Sequence, residues 1–106
     1  IQELRTLIVN CEFNGPDGSC LVEDPACLGP ECGNTVNCPP CDAAPGVCYY
    51  DESIWPTSCG QQSTFWSSSL CIGCIEEASW AIEFSTGVPI SFPPAASAGV
   101  RCVRNL

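Results

Sequence analysis

Eleven cysteines in 106 residues constrain this chain more than any other feature. They stand at Cys11, Cys20, Cys27, Cys32, Cys38, Cys41, Cys48, Cys59, Cys71, Cys74 and Cys102, so that eight fall between Cys11 and Cys59. A domain of this length buries too little surface to be generously stable without cross-links, and this density of cysteine is that of a disulfide scaffold. Each native bridge in such a domain typically contributes about 2–5 kcal/mol. The folded state is therefore expected to be the oxidised state, in an oxidising compartment: the periplasm, the cell surface or outside the cell, which makes the chain secreted or surface-bound. The odd count leaves one thiol over, with three explanations: a partner on another chain, a partner in a missing piece of this chain, or a free buried cysteine. Spacing alone does not reveal the connectivity.

Ten prolines and nine glycines leave little room for long regular elements. From Asn10 to Gly60 the chain is punctuated by Gly15-Pro16-Asp17-Gly18, Gly29-Pro30, Cys38-Pro39-Pro40-Cys41 and Pro45-Gly46, which predicts a cross-linked loop region at 10–60 inside a single domain spanning 1–106. Ile1, Leu4, Leu7 and Ile8 share one face at helical spacing, with Gln2, Glu3, Arg5 and Thr6 outside, and predict an amphipathic helix over 1–9. The pattern starts without an N-cap and without a signal peptide, so mature or trimmed material lacking an upstream piece is expected. Trp80, Ile82 and Phe84 alternate with Ala81 and Glu83, and Val88, Ile90 and Phe92 alternate after Ser85-Thr86-Gly87; 80–92 is predicted as a hairpin. Pro89 suits an edge strand. Val100 to Arg104 is predicted as a short closing strand whose Cys102 ties back to the early part of the chain.

The net charge is −9, with Arg5, Arg101 and Arg104 the only basic residues. Nucleic acid and anionic membrane surfaces need clustered lysine and arginine, so neither is an expected partner. No stretch approaches a membrane span. With no histidine and no lysine, the usual base for a serine or cysteine nucleophile is absent, and the chain is expected not to be an enzyme. The adjacent acids Asp51-Glu52 and Glu76-Glu77 are better read as solvated loop than as a glycosidase pair.

Two Cys-x-x-Cys pairs, Cys38 with Cys41 and Cys71 with Cys74, are too far apart for the usual zinc ribbon, and no thioredoxin-like alternation surrounds them. Structural disulfides are the expectation. A calcium site is a second candidate, formed by Asn14, Asp17, Glu23 and Asp24, because hard cations take loop carboxylates and carbonyls. Tyr49, Tyr50 and Trp55, which lie in predicted loop, are the candidate ligand-contacting residues, an aromatic face with a polar tip being suited to glycans.

The run Phe65-Trp66-Ser67-Ser68-Ser69, then Ser79-Trp80-Ala81-Ile82-Glu83-Phe84 with Gly87, then Gly99-Val100-Arg101-Cys102-Val103-Arg104 resembles the C-terminal domain family of Legionella collagen-like adhesins; Gln2-Glu3-Leu4 with Leu7-Ile8 resembles its earlier helix. The resemblance covers 1–9 and about 63–106 and leaves the cysteine-rich middle as an enlarged insert. It implies an α+β, C-type-lectin-like fold: a small antiparallel sheet, a flanking helix and long disulfide-stapled loops, with Trp66 and Trp80 as core positions. It also implies a secreted or surface-bound adhesion module binding a glycan or a surface protein. Two departures qualify it. The Trp-Arg-Leu-Pro stretch usual before the helix is absent, as expected of a fragment or a processed chain, and the negative charge opposes the sulfated polyanions that the best-known member binds. The alternative is a structural subunit of a surface appendage or filament, a homo-oligomer joined through the leftover cysteine or the edge of the 88–92 strand.

Overall fold

The computed structural model describes residues 1–41, 47–51, 53, 59–60, 63–93 and 98–100. Its frame is a four-stranded sheet built from the C-terminal half: β1 (Thr64–Leu70), β2 (Ser79–Glu83), β3 (Val88–Phe92) and β4 (Gly99–Val100), in the order β3-β2-β1-β4. β1, β2 and β3 pair antiparallel, whereas β4 runs parallel to β1, with Phe65 opposite Gly99 and Trp66 opposite Val100. The predicted hairpin is present as β2 and β3. Its turn closes through the Gly87 N–H on the Glu83 carbonyl at 2.8 Å, with Gly87 in the left-handed region at φ 75°. Phe84, predicted within the strand, lies beyond it: its N–H donates to the Ser63 carbonyl and its own carbonyl accepts from Tyr49 N–H, both at 2.7 Å.

β2 is central, and Trp80, Ala81 and Ile82 are all buried, because the pleat sends alternate side chains to two faces that are both covered. The register places Phe65, Trp80 and Ile82 on one face, where they meet Ile1, Leu4, Val22, Tyr50 and Phe84 in the main core. Phe84 is held edge-on by Tyr50 at 5.3 Å and by Phe65 at 6.0 Å between ring centroids. Trp66, predicted as core, is half-buried on the opposite face, 5.2 Å from the Phe92 ring.

β3 is the sheet edge. Pro89 has no N–H, so the Ile82–Pro89 pair is of the type without mutual hydrogen bonds, and Pro89 turns its missing donor outward. The 3₁₀ turn Pro30–Gly33 also lies against β3.

Five disulfides hold the remainder: Cys11–Cys41, Cys20–Cys38, Cys27–Cys32, Cys48–Cys59 and Cys71–Cys74. The first three are nested, each loop enclosing the next. These five bridges use every cysteine but Cys102, which lies outside the described residues.

The predicted helix over 1–9 is a single α-helical turn, α1 (Gln2–Arg5). Ile1 and Leu4 are buried as expected, but the chain then tightens, with Leu7 N–H on the Leu4 carbonyl and Ile8 N–H on the Arg5 carbonyl. Val9 N–H is taken by the Tyr49 carbonyl and Asn10 enters the left-handed region at φ 61°, which ends any helix. Arg5, expected on the outside, is instead 3% exposed. Its guanidinium donates to the carbonyls of Asn14 (3.0 Å), Val22 (2.5 Å), Gly15 (2.6 Å) and Cys20 (3.1 Å). The reason is the insert itself: its bridges curl 14–22 so that backbone carbonyls converge away from water, and a guanidinium can satisfy several of them at once.

Candidate functional site

The β1–β2 connection is a cross-linked part of the described surface that carries exposed apolar groups. Leu70 ends β1, and Cys71 N–H donates to the Ala78 carbonyl at 2.9 Å, closing the base of the loop. Inside it, Cys71–Cys74 forms a small ring with Gly73 in the left-handed region at φ 84°. The Leu28 carbonyl accepts from both Ile72 N–H and Trp80 Nε1–H at 2.9 Å, which fastens the loop to the insert and to the core of the sheet. So braced, the loop holds Leu70 (54% exposed), Ile72 (62%) and a fully exposed Ile75 in solvent.

Beside it lies a cleft of about 320 Å³, walled by Gly73, Cys74, Ile75 and Glu76 on the loop side and by Pro30, Ser91 and Pro93 opposite. Its surface is more apolar than polar, as in most sites that take a side chain or small ligand. The electrostatics are one-sided. Twelve acids face three arginines in the sequence, and the one arginine among the described residues, Arg5, is enclosed by carbonyls. Burial pulls the Arg5 guanidinium down from its usual range, and nearby Glu23 opposes that shift.

The structure separates most of the residues that the sequence brought forward. Tyr49 and Tyr50, expected as contact residues, are 8% and 3% exposed. Tyr49 is drawn inward because its backbone joins Val9 to Phe84, and Tyr50 follows to pack on the Phe84 ring. Trp55 lies outside the described residues. Of the four calcium candidates, Asn14 is buried, with its amide nitrogen donating to the Pro39 carbonyl at 2.8 Å and Oδ1 without a partner. Asp17 and Glu23 are exposed, and the Asp24 carboxylate accepts from Ser69 Oγ at 3.0 Å. Gln2 fixes Asp24 further, its side-chain amide bonding both backbone groups of that residue. The three carboxylates do not gather within ligand distance of one another.

Among the described residues, the one cluster with metal-ligand geometry is Cys27, Glu31 and Cys32, and its two sulfurs are bonded to each other. Cys38 and Cys41 bond to Cys20 and Cys11 rather than acting as a pair, so the two Cys-x-x-Cys motifs do not form one site. Asp51 accepts from the Ser53 hydroxyl at 2.6 Å and from its N–H at 3.0 Å, which holds the carboxyl below its ordinary range. That is the chemistry of a turn, not of a general acid, and its sequence neighbour Glu52 lies outside the described residues. Glu76 and Glu77 are exposed.

Sequence reasoning missed Arg5 as the hub of the insert. The available signal was its isolation, since no other basic residue occurs before Arg101. It also missed Leu70, Ile72 and Ile75, which single-sequence patterning cannot tell from core residues.

Comparison with protein-family models, with curated proteins and with solved structures gives no match to this chain. No helix among the described residues is long and apolar enough to cross a membrane.

Proposed function

We propose that this chain is an extracellular, non-catalytic, lectin-like binding or adhesion module whose disulfide-stapled loops present a surface to another macromolecule. Five bridges in a small domain suit an oxidising location, and their placement in loops makes the loops, rather than the sheet, the rigid exposed part. The resemblance to the adhesin C-terminal domains adds the expectation of a lectin-like fold and of attachment at a cell surface.

The observation that carries the reading is the 70–76 loop, which is braced on the Leu28 carbonyl and closed by Cys71–Cys74 while holding its aliphatic side chains in water. Three exposed aliphatic side chains within six residues of one braced loop, beside an apolar cleft, are the kind of surface that partner binding covers. The same observation favours a protein ligand over a glycan. Sugars stack on exposed aromatic faces, yet Tyr49, Tyr50, Phe65, Trp80 and Phe84 are buried, and among the described aromatic residues the most open, Phe13, is 38% exposed. The appendage reading gains less support, because Pro89 interrupts strand addition along the β3 edge.

The test is binding of the purified, oxidised chain to a panel of extracellular proteins and to a glycan array, beside the same chain reduced and alkylated. Saturable binding to protein ligands that disappears on reduction is expected. Absence of binding to both panels, or equal binding by the reduced chain, would overturn the reading.

A further inference from the structure

We infer that the cleft beside the Cys71–Cys74 loop is a docking groove for an extended, basic segment of another protein that carries an aliphatic or aromatic anchor. This rests on the binding-module reading and narrows it to one surface and one ligand chemistry.

Three observations point there independently. The first is shape. The cleft of about 320 Å³ lies between Gly73, Ile75 and Glu76 on one side and Pro30, Ser91 and Pro93 on the other, which is room for one large side chain. Ile75 stands fully exposed at its loop wall, on a loop held by the Cys71–Cys74 ring and by the bond from Ile72 N–H to the Leu28 carbonyl. An apolar anchor seated in the cleft would remove the Ile75 side chain from water.

The second is the backbone of β3. Ser91 pairs with Trp80 two residues along from the Ile82–Pro89 pair, so it shares the same outward parity. Its N–H and carbonyl therefore face away from β2, at the edge that the cleft adjoins. An extended segment can bond to this one residue, while Pro89 stops it from zipping further along the strand. A short peptide is thus favoured over a full added strand.

The third is charge. Glu76 lines the cleft and Glu77 follows it, both exposed. No exposed cation is present among the described residues to balance them, since Arg5 is committed to carbonyls inside the insert. Such a rim attracts a lysine- or arginine-bearing segment and speeds its encounter. It also argues against a second copy of this chain as the occupant, because two molecules of net charge −9 repel one another.

The experiment uses the oxidised chain and a fluorescein-labelled, lysine-rich peptide carrying one leucine and one phenylalanine, read by anisotropy. Two control peptides are used, one with serine in place of the apolar residues and one with glutamate in place of the lysines. The expected result is saturable binding of the first peptide, with Ile75→Ser weakening it by about tenfold. The double change Glu76→Gln with Glu77→Gln should weaken it severalfold and flatten its salt dependence, while Glu12→Gln on a distant exposed turn leaves it unchanged. All these side chains are exposed, so the variants keep the fold, which circular dichroism and intact mass verify. Equal binding of the serine peptide, equal binding of the glutamate peptide, or an unchanged affinity in Ile75→Ser would each overturn the groove. If the oxidised chain still captures proteins from the panel and Ile75→Ser does not reduce that capture, the groove fails while the binding-module reading stands. If nothing on the panel binds, the reading itself fails.

Discussion

The α-carbon of Gly87 lies so close to the Cys11 sulfur that a methyl group added there would collide with it. This contact seats the β2–β3 turn directly on the Cys11–Cys41 bridge, and Cys41 N–H completes the joint by donating to the Thr86 carbonyl at 2.9 Å. Gly87→Ala meets two penalties, the left-handed backbone at φ 75° and the sulfur. Together they are expected to cost roughly 2–4 kcal/mol, seen as a lower denaturant midpoint under non-reducing conditions. An unchanged midpoint would mean that the turn and the bridge are not packed as described.

Arg5 should behave as a structural centre despite its charge. Replacing it by methionine keeps the length of the side chain but strands the carbonyls of Asn14, Gly15, Cys20 and Val22, a loss expected to reach about 3 kcal/mol or more. Arg5→Lys, with fewer donors and no planar fork, should fall between the two. Hydrogen exchange over 14–22 should rise in the same order. A variant with methionine that is as stable as the parent would remove the guanidinium from its central role.

Graded exposure to a small thiol should open the bridges in a defined order. Neither cysteine of Cys71–Cys74 is buried, whereas Cys20 and Cys38 both are, and reduction requires a thiolate to reach a sulfur. Alkylation mapped by mass spectrometry should therefore find Cys71 and Cys74 first and Cys20 and Cys38 last. Simultaneous labelling of all five pairs would show that global unfolding, not local access, governs reduction.

Asp51 offers a pH signature. Its ionised form accepts both bonds from Ser53, so its folded pKa lies below the unfolded value. The turn is accordingly favoured above the unfolded pKa of about 3.9 and lost as pH falls through the lower folded value. Carboxyl chemical shifts should place its titration below that of an ordinary aspartate, and Ser53→Ala should move it back up. A titration unmoved by that change would exclude the hydroxyl as the cause.

The parts of this fold that depend on neighbours in sequence were legible and those that depend on distant partners were not. Trp80 and Ile82 alternate around Ala81, and Gly87 marks the turn, so the β2–β3 hairpin follows from local pattern. The parallel pairing of β4 with β1 leaves no such mark, because nothing near Gly99 specifies Phe65 as its neighbour. Cysteine spacing is silent for the same reason: Cys38-Pro39-Pro40-Cys41 looks like a pair, yet its members bond to Cys20 and Cys11. Tyr49 and Tyr50 sit in a segment without periodicity, which reads as surface loop, but their burial is decided by Phe84, far along the chain. The same limit hid the candidate site, since the exposure of Ile72 and Ile75 goes with a loop closed by a bridge and fastened to the distant Leu28 carbonyl.

The nesting of Cys27–Cys32 inside Cys20–Cys38 inside Cys11–Cys41 also bears on how the chain acquires its shape. Closure entropy rises with the length of free chain to be spanned, and a ring already shut shortens the path around it. Formed from the innermost outward, each bridge of the insert shortens the next search, so the segment poorest in regular structure can mature by small steps. Formed from the outside inward, the same bonds would begin with the longest search and trap unpaired thiols within a closed loop.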